Sequence, residues 1–126
     1  MRGASALEQA LGKSRGELSV LVVWEPVLPA DFDGPPPPAV RARITDPRVK
    51  AFWDPGRVLS GHLVGIARAK PEGNLPIDPN LADAPVVWDA VAIYPPGVRW
   101  EGTIPRPAWY GNPVVEVANE LTRRLR

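Results

Sequence analysis

Few side chains in this chain have the type and placement to do chemistry: Glu25, Asp31 and Asp33 close together, Asp89 inside an apolar run, and the single histidine, His62. Glu25, Asp31 and Asp33 follow one apolar stretch, so a loop there could gather them as acid and base or as oxygen ligands for a hard cation. Their spacing lacks the glycine-centred pattern of a calcium loop, and the plainer reading is carboxylates facing water. Asp89 turned inward would have its pKa raised by desolvation, as a general acid requires; turned outward, it is a solvated or hydrogen-bonded group. His62 falls among Val58, Leu59 and Ile66 at helical spacing. That makes it a packing histidine of an inner helix face, since metal sites take several nitrogen or sulfur donors. Ser60 has no nucleophile-elbow context, and no local serine, histidine and aspartate grouping points to a hydrolase.

The chain contains no cysteine, which excludes disulfide scaffolds, thiol nucleophiles and thiolate metal sites. Fifteen basic against fourteen acidic residues leave a formal charge of +1, so no domain-wide basic field exists to hold nucleic acid. No apolar run approaches the roughly 18 residues of a membrane span. The charged, helix-patterned residues 1–17 do not read as a signal peptide. The compartment expected by default is the cytoplasm, with export left open if a leader has been removed. A length of 126 residues fits one domain over 1–126, and 44% hydrophobic residues with five tryptophans suit a packed core.

Those residues need elements to position them. Ala4 to Lys13 carries Ala6, Leu7, Ala10 and Leu11 on one helical face, with Ser5 and Glu8 spaced as a capping box. Leu18 to Trp24 is a β-branched and aromatic run of the kind that forms a strand buried on both faces. Prolines then crowd residues 25–38, making a stiff loop, and Ala39 to Ile44 reads as a short helix. Val49, Ala51 and Trp53 alternate with Lys50 and Phe52, which favours a strand over a helix opened by Asp46-Pro47. Asp54-Pro55 starts a helix bearing Val58, Leu59, Leu63 and Ile66, and residues 70–85 form a long connection. Val86 to Tyr94 is a second strand buried on both faces, stopped by Pro95-Pro96-Gly97. Gly111-Asn112 signals a hairpin between 106–110 and 114–117, and Ala118 to Arg126 a terminal helix.

This succession, with Val20-Leu21-Val22-Val23-Trp24 running into Glu25-Pro26-Val27-Leu28, resembles the thioredoxin-like fold over nearly the whole chain. The resemblance implies an α/β domain with a central mixed sheet of four or five strands flanked by helices. Matching the tryptophans places Glu25 and Leu28 where that family carries its two cysteines. The segment Ile104–Asn112 is similar to the one holding the family's cis-proline before the fourth strand, with Pro105 and Pro107 as candidates, although threonine precedes neither. The Trp-Glu-Pro segment and the Trp88–Gly97 strand end also resemble a group of bacterial thioredoxin-like proteins. Disulfide exchange needs a thiolate, which neither Glu25 nor Leu28 supplies, so oxidoreductase activity does not carry over.

The expected function is a redox-inactive binding or scaffold module without a cofactor. It would recognise a protein or peptide over Trp24, Glu25, Pro26, Val27, Leu28 and Pro29, with Trp100, Pro105 and Pro107 beside them. Losing the sulfurs while keeping a proline-stiffened loop removes chemistry but not shape, and exposed aromatic residues with rigid edges suit peptide contact. Trp24, Trp100 and Trp109 would form the aromatic floor. The alternatives are a cysteine-independent enzyme or metal binder using Glu25, Asp31, Asp33 or Asp89, and a structural subunit of a larger assembly.

Overall fold

Ala6, Ala10 and Leu11 recur at helical spacing and line one side of helix α1, Arg2–Lys13, in the computed structural model, which describes residues 2–68 and 86–126. The expected connection over 70–85 lies outside the described residues. α1 packs beside the last helix, α4, Val114–Arg124, through the buried Leu11 and Leu121. The two helices run in parallel. At their C-terminal ends the Ser14 hydroxyl donates to the Leu125 carbonyl at 2.8 Å. At their N-terminal ends stands Asp89, whose carbonyl accepts the Val114 N–H at 3.0 Å. Its Oδ1 occupies the space over Gly3, 2.0 Å from where a Cβ would be, so a larger residue at 3 would have to displace the Asp89 carboxyl. The carboxyl thus stands at the first turn of α1, whose positive dipole end favours an anion, while the backbone carbonyl serves the start of α4.

Strand β1, Val20–Trp24, pairs in parallel with β2, Val49–Trp53, so that Val20 lies opposite Val49 and Trp24 opposite Trp53. The chain between them folds through a 3-10 turn, Pro29–Asp33, and a single-turn helix α2, Pro38–Arg41. Helix α3, Val58–Arg68, follows β2. Two three-residue strands, β3 (Val91–Ile93) and β4 (Trp109–Gly111), pair antiparallel. The buried Val64 of α3 and Tyr110 of β4 form a second core with Val87, Ala90 and Ala92 packed against it.

The expected central sheet of four or five strands is therefore not present: among the described residues there are two separate two-stranded sheets, β1 with β2 and β3 with β4. Two local causes divide it. Asp89 has φ +50°, a left-handed conformation that aspartate tolerates but a strand does not, and it breaks the apolar run 86–94 to leave only Val91–Ile93 extended. The expected hairpin at Gly111-Asn112 does not close, because 114–117 is the first turn of α4 and not an outer strand. Gly111 is instead needed for packing: a Cβ there would stand 2.7 Å from the Trp109 ring and 3.0 Å from Val117. The cis peptide in this region joins Asn112 to Pro113, and not the residues before Pro105 or Pro107. His62, expected to pack inward, is exposed, as is Trp88.

Arg48 locks the β1–β2 pair to the helices. Its guanidinium donates to the carbonyls of Leu11 (2.7 Å), Ser14 (3.2 Å) and Gly16 (3.1 Å), capping the C-terminal end of α1 with a cation. Asp46 holds that guanidinium through Nε at 2.9 Å and Nη2 at 2.6 Å. Glu8 does not close the expected capping box with Ser5; it accepts the Thr45 N–H at 3.0 Å and the Thr45 hydroxyl at 2.6 Å. Hydrogen bonds from Arg48 drop the Asp46 carboxyl from its ordinary 3.8 to about 2. A lowered acid stabilises the fold fully above its unfolded value and loses that contribution as pH falls through the folded one. Arg48→Met should therefore lower the urea midpoint at pH 7. It should also flatten the acid-side decline between pH 3.8 and about 2 that the unaltered chain shows.

Candidate functional site

A ladder bond uses one edge of a strand, and successive residues alternate between edges. The Val20 N–H donates to the Arg48 carbonyl and the Trp24 carbonyl accepts from Asp54, so the even residues of β1 face β2. Leu21 and Val23 therefore turn their N–H and C=O groups the other way, where no strand pairs with them among the described residues. On the second sheet the Ile93 carbonyl accepts from Ala108 and the Asp89 carbonyl from Val114, so odd residues face β4 and α4. Ala92 then presents its backbone groups on the outer edge.

Both outer edges line one cleft of about 1930 Å³. Its lining includes Leu21 and Val23 of β1, Ala92 of β3 and Tyr94 just beyond it. The Leu21 side chain is 50% exposed although it belongs to the strand expected to be buried on both faces. Trp88 at 61%, Leu28 at 56% and Trp100 at 43% exposure supply large apolar surface along the same cleft. Trp100 is held edge-on to Tyr94, with ring centroids 5.7 Å apart. That contact fixes the indole without covering it, and burial pushes the Tyr94 hydroxyl above its ordinary pKa.

Glu25 closes one end. It leaves β1 directly after Trp24 and reaches the N-terminal turn of α3, where its Oε1 accepts the Ser60 N–H at 3.1 Å and its Oε2 accepts the Ser60 hydroxyl. The Ser60 oxygen, fully buried, accepts in turn the Val87 N–H at 2.9 Å. One hydroxyl thus joins the β1 side of the cleft to the chain entering β3. Asp54 stands next to Glu25 and accepts the Leu59 N–H at 2.9 Å, so two carboxyl groups share one helix N-terminus. Desolvation raises the Glu25 carboxyl above its ordinary 4.5, and Asp54 pushes it the same way against the two Ser60 donors. Burial would raise Asp54 as well, but the N–H groups of Leu59 and Val58, together with Glu25, outweigh it and hold Asp54 below 3.8.

Of the expected contact residues, Trp24, Glu25, Val27, Leu28 and Trp100 meet at this cleft. Pro26 and Pro107 are buried, and the exposed Pro29 and half-buried Pro105 lie off its walls, so none of these four prolines adds exposed surface to the cleft. Trp109 leaves the expected floor and sits under the Arg124 guanidinium, 5.1 Å from its ring centroid. The acidic residues disperse. Asp31 accepts the N–H groups of Val27 (3.1 Å) and Leu28 (2.7 Å), folding its own loop back, while Glu25 serves Ser60 and Asp89 the helix ends. Among the described residues no group of three or more metal-ligating side chains converges. None of their helices is long and apolar enough to cross a membrane.

Ser60, Asp54 and Val87 are the residues that sequence reasoning missed. Asp54-Pro55 marked the helix start, but nothing along the chain connects position 25 to position 60 or 87. Comparison with known proteins adds nothing to this geometry: no family model, curated protein or solved structure matches the chain.

Removing the Ser60 hydroxyl strands the Val87 N–H and takes from Glu25 one of its two Ser60 donors. Ser60→Ala should cost about 1–3 kcal/mol in urea unfolding, the range for leaving a buried partner unsatisfied. An unchanged midpoint would show that water satisfies both groups.

Proposed function

We propose that this chain is a non-redox binding module that receives an extended segment of a partner protein in the cleft between β1 and β3. The observation that carries this is that no strand among the described residues pairs with the outward edges at Leu21 and Val23 and at Ala92, and that these residues line one largely apolar cleft. Backbone N–H and C=O groups in apolar surroundings demand partners, and another extended backbone supplies donors and acceptors at the matching repeat. Recognition by strand addition works in this way, with main-chain bonds giving affinity and alternate side chains giving specificity. The volume argues in the same direction. A cleft of about 1930 Å³ exceeds the roughly 300–1,000 Å³ typical of small-molecule pockets and suits a length of chain. Trp88, Trp100 and Leu28 offer the stiff apolar anchors that dominate such interfaces.

The test uses an end-capped octapeptide alternating valine and threonine, and its counterpart N-methylated at every second residue. Titration of the first into the labelled protein should move the amide resonances of Leu21, Val23 and Ala92, and the second should bind more weakly. Ala92→Pro removes one outward donor at a position where no ladder bond is lost, and should weaken binding roughly 2- to 12-fold. Trp100→Ala should weaken it as well. Equal binding of the two peptides, or shifts confined to other surfaces, would discard backbone pairing in this cleft.

A further inference from the structure

We infer that the outer edge of β2 is the docking surface for a second copy of this chain, paired antiparallel across a two-fold axis that passes beside Phe52. The inference is independent of the cleft, because it uses the opposite edge of the β1–β2 sheet.

The ladder fixes which groups point outward. The Val20 N–H donates to the Arg48 carbonyl, and the Trp24 carbonyl accepts the Asp54 N–H at 2.8 Å. Arg48, Lys50, Phe52 and Asp54 therefore turn their backbone groups to β1. Val49, Ala51 and Trp53 turn theirs away, and among the described residues no strand meets them. The Val49 N–H is already given to the Asp46 carbonyl at 3.0 Å, which leaves the N–H groups of Ala51 and Trp53. Lys50, Ala51 and Phe52 are exposed, Phe52 to 51%. A lysine on such an edge normally repels an added strand. Here one register sets an acid opposite it.

A two-fold pairing places one residue against its own copy, and the residues of β2 select which. Centred on Lys50, two lysines stand directly opposed and repel. Centred on Ala51, Trp53 meets Val49, whose N–H is spent. Centred on Trp53, Ala51 meets Pro55, which has no N–H to give. Centred on Phe52, Ala51 meets Trp53 of the second copy and Trp53 its Ala51, so every outward N–H and carbonyl of these two residues finds a partner. In that register Phe52 faces Phe52, and Lys50 faces Asp54 of the second copy on each side of it. Lys50, Phe52 and Asp54 share one face at period two, so two ion pairs flank an aromatic pair. All three are non-hydrogen-bonded positions, where opposed side chains come closest (about 4.5 Å between Cα atoms). Lys50 makes no ion pair among the described residues. Asp54 gives Oδ2 to the Leu59 N–H, and a carboxylate accepts further donors.

The experiment is sedimentation velocity from about 10 μM to about 1 mM, where an interface as small as a short strand edge associates. A reversible monomer–dimer equilibrium is expected. Over the same range, amide exchange followed by NMR should slow at Ala51 and Trp53 and stay constant at Leu21 and Val23. Lys50→Glu replaces both ion pairs by like-charge pairs and should raise the dissociation constant roughly tenfold or more. Lys50 is exposed, so this variant keeps the fold, which its amide spectrum checks. Ala51→Pro removes one outward N–H from each chain where no ladder bond is lost, and should weaken association as well. A chain that stays monomeric at the highest concentration overturns the proposal. A dimer that protects Leu21 and Val23 in place of Ala51 and Trp53 overturns it too, as does a dimer indifferent to Lys50→Glu.

Discussion

The buried hydroxyl of Ser60 is the constraint on which this architecture turns. It gives its proton to Glu25 and takes the Val87 N–H, so a single oxygen joins the first strand, the third helix and the approach to β3. Because the two sheets do not pair with each other, this polar junction substitutes for the ladder that would have made them one. A hydroxyl that both donates and accepts is suited to such a place; an apolar residue there would leave the Val87 amide without its acceptor and Glu25 with one donor fewer in a partly dry setting.

The rest of the molecule is organised around the same economy of charged and polar anchors. Arg48 gathers the carbonyls at the end of α1, and Glu8 receives the loop that leads into β2. Asp89 meets the beginnings of α1 and α4, and its left-handed backbone diverts the chain out of the first core and into β3. The apolar contribution is divided between two small clusters, Leu11 with Leu121 and Val64 with Tyr110. Between the clusters lies the cleft, and its openness is the reason that side chains as large as Trp88 and Leu21 remain accessible.

The sequence resemblance to the thioredoxin-like fold led to the expectation that Val20–Trp24 would lie in the middle of a continuous sheet and deliver Glu25 to the place of a cysteine. The strand forms, and Glu25 does follow it into a confined polar site. The continuous sheet does not form, and among the described residues no strand pairs with the second edge of β1. The five residues of β1 thus read differently: four are half-buried and Leu21 is exposed, so the strand is not enclosed on both faces.

Local pattern alone determined the absence of thiol chemistry and the existence of α1, α3, β1 and β2. Each depends on composition, on spacing at period two or 3.6, or on proline stops, all of which are properties of neighbouring residues. Tertiary structure decided the rest. Whether 86–94 stays extended depended on Asp89 finding the ends of two helices distant in sequence, and whether 114–117 became strand or helix depended on a partner edge or on the packing of Val114 and Leu121. The partner of Glu25 lies 35 residues away at Ser60. Contacts at that separation are chosen by the competition among all buried polar groups for donors and acceptors, and no local stretch of sequence contains that information.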